Sequence, residues 1–373
     1  MKQKNNREKM FSAKSQALNI GIVVLILALT LFVLFNSLYD PDHPIKFSYF
    51  LHIHWGWLLI GILLLGVSVL CEARSLSLIL KNIGHRRSLR DSVVYASSDI
   101  YFSAITPSAS GGQPAAAYYM TKSGVPLSQS SAVLVLNVTI YTVALLIMGA
   151  IALIARPGFY AAFPTTAKLC FWLGIGFHAL LIFACVLFMF SKKVVMLVGR
   201  AVIYMLAALH IFKNREEKLE AFAASIETYR SCVSIIKRNP FLIVRLIFYS
   251  VSQRLILIPI TYLVFLAMGL DASFGDVFIM QIYCTVGASA IPLPGAVGIS
   301  ETLYLIVFER FVSDPNLCMF SMVLSRSVSG YLAIMICGCI TMTYHMRHVI
   351  RPRRAAALSN DATEEDEDAT ECE

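Results

Sequence analysis

Charge is scarce in this chain: only 14% of its 373 residues are Asp, Glu, Lys or Arg, against about a quarter in ordinary soluble domains. That shortage excludes a water-soluble globular enzyme and a disordered chain alike. Several chemical signatures are missing as well. There is no phosphate loop of the form GxxxxGKS or GxxxxGKT, which excludes an ATP motor within the chain. No HExxH, GxSxG or Ser/His/Asp constellation appears, and His52 and His54 read as exposed loop residues rather than ligands. Nine cysteines are scattered with neither CxxC nor zinc spacing, so they read as small packing residues, and no metal, disulfide framework or other cofactor is expected. The longest piece outside apolar sequence, residues 191–238, leaves no soluble catalytic domain. An enzyme built from this chain would work entirely within a membrane.

What is present is apolar sequence, 57% of the chain, with a mean hydropathy of +0.70. It falls in runs of about 20 residues, the length that crosses a bilayer as a helix. Full-length runs lie at 17–38, 55–71, 127–155, 169–190, 241–268 and 317–344. The first follows five Lys or Arg and has no short-core cleavage pattern, so it reads as a retained span. The fold class expected is an all-α polytopic membrane protein with about six full spans.

Charge placement orients those spans. Of 31 Lys and Arg, 25 fall in the segments 1–17, 73–90, 122, 191–245 and 346–354. The alternate loops hold only Lys46, Arg156, Lys168 and Arg310. Basic loops stay in the cytoplasm, so both termini are expected there, and the basic body calls for no nucleic-acid partner. Eight of the 23 acidic residues crowd into 361–373, and without them the chain stands near +16. Three regions follow: a basic cytoplasmic N-terminus at 1–16, a membrane domain at 17–350, and a solvated acidic tail at 351–373. Within 191–238, Leu219, Phe222, Ala223, Ile226, Tyr229, Val233 and Ile236 recur at helical spacing among charges, which predicts cytoplasmic helices on or under the membrane, with a seventh span at 194–212 as the alternative.

Two apolar segments are too short to span. Residues 93–106 reach ~21 Å as a helix, against a hydrocarbon core of ~30 Å. They run into Pro107, Ser108, Ser110, Gly111, Gly112, Gln113 and Pro114 before apolar sequence returns to Lys122. Residues 277–291 likewise run into Pro292, Pro294, Gly295 and Gly298 before returning to Asp314. Irregular backbone at membrane depth is tolerated only inside protein or beside an aqueous cavity, so each segment reads as a re-entrant hairpin. The two match at an offset of 185: Gly84, Ser88, Asp91 and Pro107 correspond to Gly269, Ser273, Asp276 and Pro292. At an offset of 190, Ser131, Val133, Leu134, Val138 and Tyr141 correspond to Ser321, Val323, Leu324, Val328 and Tyr331. With three spans between the copies, an inverted-topology repeat is expected, with halves at about 55–155 and 241–345. That is the architecture of transporters that alternate access.

Ionisable residues inside spans cost ~2.5–3.5 kcal/mol each to insert, which makes them functional candidates. They are Asp99, Arg254, Glu301 and Arg326. Glu301 is expected to pair with Arg326 or Arg254, and Asp99 with an Arg. Glu72 and Arg74 read as interfacial, near a cytoplasmic span end. Glycines at the two tips admit close backbone approach, and the helix N-terminus after each turn favours an anionic group such as phosphate. Arg254 and Arg326 are candidates to neutralise that phosphate.

The stretches ITPSASGGQPAAAYYMTKSGVPLSQSSAVLVL (105–136) and IPLPGAVGISETLYLI (291–306) resemble the flippase-like membrane region of lysylphosphatidylglycerol synthase, the membrane half of the bacterial multiple peptide resistance factor. The resemblance covers roughly residues 15–350. It implies a multi-pass protein of the bacterial cytoplasmic membrane that translocates an anionic or aminoacylated phospholipid, lysylphosphatidylglycerol-like, or another lipid-linked headgroup. In the family that activity lowers surface negative charge and gives resistance to cationic peptides. The alternatives it implies are a phosphatidylglycerol lysyltransferase drawing on aminoacyl-tRNA, and a non-transporting membrane partner of a separate lipid synthase. The expectation is that this chain lacks the transferase half and its activity. Its partners would be membrane phospholipid and either a separate synthase or further copies of itself. Carried onto this sequence, the resemblance implies Asp99, residues 107–114, Gly295, Gly298, Glu301 and Arg326 as the substrate region.

Overall fold

A computed structural model describes residues 48–106, 109–208, 215–289 and 298–347. The first apolar run at 17–38, the basic N-terminus and the acidic tail lie outside the described residues. Five helical stretches are long and apolar enough to cross a membrane: Trp55–Asn82, Leu127–Ala155, Thr165–Phe190, Pro240–Ala267 and Pro315–His345. Their outer faces carry exposed Leu59, Leu63, Phe183 and Phe248, an apolar surface that lipid covers and water would not. No strand occurs among the described residues. The chain is a polytopic, all-α membrane protein.

Two one-turn helices aside, the elements are α1 (Trp55–Asn82), α2 (Leu89–Ile105), α3 (Gly112–Lys122), α4 (Leu127–Ala155), α5 (Thr165–Phe190), α6 (Lys192–Ala208), α7 (Arg215–Lys237), α8 (Pro240–Leu257), α9 (Pro259–Ala267), α10 (Phe274–Ala288), α11 (Ile299–Phe308), α12 (Pro315–Arg326) and α13 (Leu332–His345). α8 and α9 form one stretch interrupted before Pro259, where the ring removes a backbone donor. α12 and α13 are joined by a π-helical turn, Ser327–Tyr331, a widening found often at functional sites.

α1 runs 11 residues past the apolar run at 55–71. Its last turns leave the lipid-facing pattern because protein covers them instead. Leu76, Ile79 and Leu80 are wholly buried, in one cluster with Ile226, Tyr229, Val233 and Ile236 of α7 and Leu246 of α8. The apolar stripe expected along 219–236 therefore does pack, and α7 lies against the basic ends of α1, α4 and α5. α6, 17 residues long, pairs with α7.

Positions matched at the offset of 185 share backbone geometry. α1 ends at Gly84 and α9 at Gly269, both with positive φ (96° and 67°), a conformation glycine adopts without penalty. After them the His85 N–H donates to the Leu80 carbonyl and the Leu270 N–H to the Phe265 carbonyl, each at 2.9 Å. The two bonds are the same helix-closing bond, displaced by the repeat offset. Each half then enters a short helix at an extended N-cap serine, Ser88 for α2 and Ser273 for α10. α2 folds back on α3, and α10 on α11. Each first arm then packs on the other half's long helix, α2 against α13 and α10 against α4.

Candidate functional site

The first hairpin is built around Asp99. α2 starts with a capping box: Ser88 Oγ accepts the Asp91 N–H at 3.1 Å, and the Asp91 carboxylate accepts the Ser88 N–H at 3.3 Å. At its other end Thr106 closes the helix, its hydroxyl donating to the Phe102 carbonyl at 2.6 Å and accepting the Gly111 N–H at 2.8 Å. Ala109 in the turn has φ 53°, a left-handed backbone that costs a side-chain-bearing residue roughly 1–2 kcal/mol. Strain of this kind concentrates at ligand-handling sites. The turn presses α3 onto α2 so closely that a Cβ on Gly112 would lie 2.0 Å from Ser103 Oγ and 2.2 Å from Asp99 Oδ1.

That approach brings Gln113 to Asp99. Its amide nitrogen donates to both carboxylate oxygens, at 3.0 and 3.1 Å, and Ser103 Oγ adds a third bond at 3.2 Å. Asp99 is only 7% exposed. Among the described residues no Lys or Arg reaches ion-pair distance of it, so the arginine partner expected for Asp99 is replaced by a neutral amide. The Gln113 carbonyl oxygen is buried with no protein partner. Gln113 also lines an apolar groove of about 390 Å³ between α3, α4 and α5, walled by Ala117, Leu134, Val138 and Phe188.

The second hairpin holds its carboxylate differently. Glu301 lies in the first turn of α11, where it accepts the Gly298 N–H at 2.6 Å, Ser300 Oγ at 2.9 Å and Arg326 Nε at 3.0 Å. The Glu301–Arg326 pair is one of the two expected. Arg254 forms neither: its guanidinium lies over the Tyr141 ring, 4.0 Å from the centroid, and its Nε is buried without a hydrogen-bond partner. At the second hairpin the helix N-terminus expected to hold a lipid phosphate is capped by the protein's own carboxylate, Glu301, and an end satisfied in this way has little field left for a second anion. At the first, Asp99 lies against the first turn of α3 through the Gln113 side chain.

Asp99, Gly111, Gly112 and Gln113 therefore form one group, and Gly298, Glu301 and Arg326 a second. Ser110 is exposed beside the first turn. Pro107, Ser108, Pro294 and Gly295 lie outside the described residues. Glu72 lies well inside α1. It sits ten residues before the end of α1, ~15 Å along the helix, and its carboxylate accepts from the Gln253 amide at 2.9 Å. The charge at 72 and 74 had marked a span end only because the helical continuation to Asn82 is covered by protein. Arg74 itself is exposed.

The sequence profile described as Lysylphosphatidylglycerol synthase TM region matches residues 18–338. The chain belongs to that family. No curated protein and no solved structure matches the chain significantly. Both hairpins lie inside the matched stretch, as do Asp99, Arg254, Glu301, Arg326 and Glu72.

Proposed function

We propose that this chain is a lipid flippase of the bacterial cytoplasmic membrane, moving an aminoacylated phospholipid of the lysylphosphatidylglycerol kind between leaflets. The observation that carries this reading is the double role of Gln113. One side chain lines an apolar groove of about 390 Å³ and also binds the carboxylate of Asp99. A lipid whose tail lies in that groove brings its headgroup to Asp99, and a carboxylate there selects a cationic ammonium over a bare phosphate. Arg254, stacked on Tyr141 with a hydrogen-bonding nitrogen to spare, is the group for the phosphodiester.

The two hairpins supply the moving parts. Read as re-entrant arms of opposite orientation, with both termini on the cytoplasmic side, they rock against the long helix of the other half, and the polar groups stay in place as access changes. The Glu301–Arg326 pair is the fixed counterpart, holding the second arm against α12.

The test is leaflet exchange by the purified chain in proteoliposomes, using tail-labelled lipid analogues and an impermeant quencher. Aminoacylated phosphatidylglycerol is expected to equilibrate faster than in protein-free vesicles, and faster than unmodified phosphatidylglycerol. Rates equal to protein-free vesicles for both lipids contradict the reading. Formation of aminoacyl lipid from aminoacyl-tRNA would instead make the chain a transferase.

A further inference from the structure

Glu72 shares no hydrogen bond with the Asp99–Gln113 group, although the two carboxylates act on each other through space, and its own surroundings differ from those of Glu301. Glu301 is held by Arg326 Nε and a backbone N–H. Glu72 is held by the Gln253 amide, itself 6% exposed, with the Asn137 amide also facing it. A primary amide serves either form of a carboxyl group, donating N–H to the anion or accepting O–H from the acid. Arg254 acts on Glu72 through space, yet no ion pair within 4.0 Å joins them among the described residues. The titratable and charged groups facing Glu72 are Arg254 and Tyr249 of α8, Tyr141 of α4, Asp99 of α2, Cys337 of α13 and its own neighbour Cys71.

Glu72 also opens on a small cavity between α1, α4 and α8, lined by Ser75, Asn137, Tyr141, Ser250 and Gln253. Its volume, about 10 Å³, is the least that admits a single water. A headgroup is many times too large for it. The occupant that fits is a single water, and a water held against a carboxylate can pass it a proton.

We propose that Glu72 is a proton-binding site that couples lipid movement to the transmembrane proton gradient. A hydronium delivered through the cavity transfers its proton to a Glu72 carboxylate oxygen, leaving water and a neutral carboxylic acid. The reverse transfer, to water on the opposite side, restores the carboxylate. Neutralising Glu72 removes its attraction for Arg254, which frees that guanidinium for an arriving phosphodiester. Loss of the proton draws it back. One proton crosses for each headgroup captured and released.

The coupling rests on the flippase reading, and proton binding does not, so two measurements separate them. Infrared difference spectra of the purified chain between high and low pH are expected to show a carboxylic-acid band that disappears in Glu72→Gln. In Gln253→Leu, which keeps Glu72 and removes its donor, the same band persists with a shifted pH midpoint. In proteoliposomes an imposed proton gradient is expected to raise lipid exchange several-fold in the wild type. In Glu72→Gln the ratio of rates with and without the gradient falls to one. A band unchanged in both variants, a gradient response retained by Glu72→Gln, or a response to sodium and not to protons would overturn the proposal. Should the wild type exchange no lipid at all, the flippase reading fails alone, and the infrared result still decides whether Glu72 binds a proton.

Discussion

Arg326→Ala is expected to destabilise the membrane domain by about 3–5 kcal/mol, the cost of removing one partner from a buried ion pair. The Glu301 and Arg326 side chains are only 10% and 24% exposed. Among the described residues, the substitution leaves the Glu301 carboxyl with the Gly298 N–H and the Ser300 hydroxyl as its remaining donors. It also cuts one of the ties between α11 and α12, leaving the Tyr304–Ser321 hydroxyl contact and the apolar packing between them. Reversible unfolding in mixed micelles measures the loss. The double variant Glu301→Gln/Arg326→Ala should lose markedly less than the two single losses combined, because no uncompensated charge remains. Additive losses would show that the two side chains act separately.

Gly112→Ala carries the second large effect. The added methyl carbon would fall 2.6 Å from the Asp99 carbonyl, a backbone atom that no rotamer change moves aside. α3 must therefore back away from α2. Overpacking of this sort costs about 1–3 kcal/mol, and here it also draws Gln113 off the Asp99 carboxylate. The expected outcome is a loss of both stability and lipid exchange. Gly56→Ala makes the control, since a Cβ there meets nothing within 4 Å, and helix propensity favours alanine by roughly 0.5–1 kcal/mol. Equal behaviour of the two variants would mean that the α2–α3 contact is looser than described.

The features legible in the sequence were those that bilayer physics writes directly into residue order. Apolar runs of span length reappear as α4, α5 and the long stretches at 240–267 and 315–345. The paired Gly84 and Gly269 mark the same helix-closing turn in both halves because only the left-handed backbone can make it. Glu301 and Arg326, opposite charges in otherwise apolar sequence, had few other partners available and found each other.

What was not legible depended on one helix covering another. Hydropathy treats a charge as the edge of a span, so it stops α1 at Cys71, eleven residues before the helix ends. The burial of Leu76, Ile79 and Leu80 by α7 is a long-range contact with no local signature. The partner of Asp99 was missed for a related reason. Charge pairing points to an arginine, but the Thr106–Gly111 turn delivers an amide from 14 residues away. Arg254 went to an aromatic face, which pattern reading does not rank against carboxylates. The π-helical turn after Arg326 left only a run of small and polar residues, Ser325 to Gly330, as its trace.

The most direct measurement of the central claim is the initial rate of aminoacyl-lipid exchange by Asp99→Asn in proteoliposomes, beside wild type of equal thermal stability. Asparagine keeps the size of the side chain and removes the charge that is to meet the ammonium. A charge-assisted hydrogen bond contributes about 1.5–3 kcal/mol, so the rate is expected to fall by roughly 10- to 150-fold while the protein remains folded. An Asp99→Asn rate equal to that of the wild type would contradict the account, and the headgroup would have to be read elsewhere in the membrane domain.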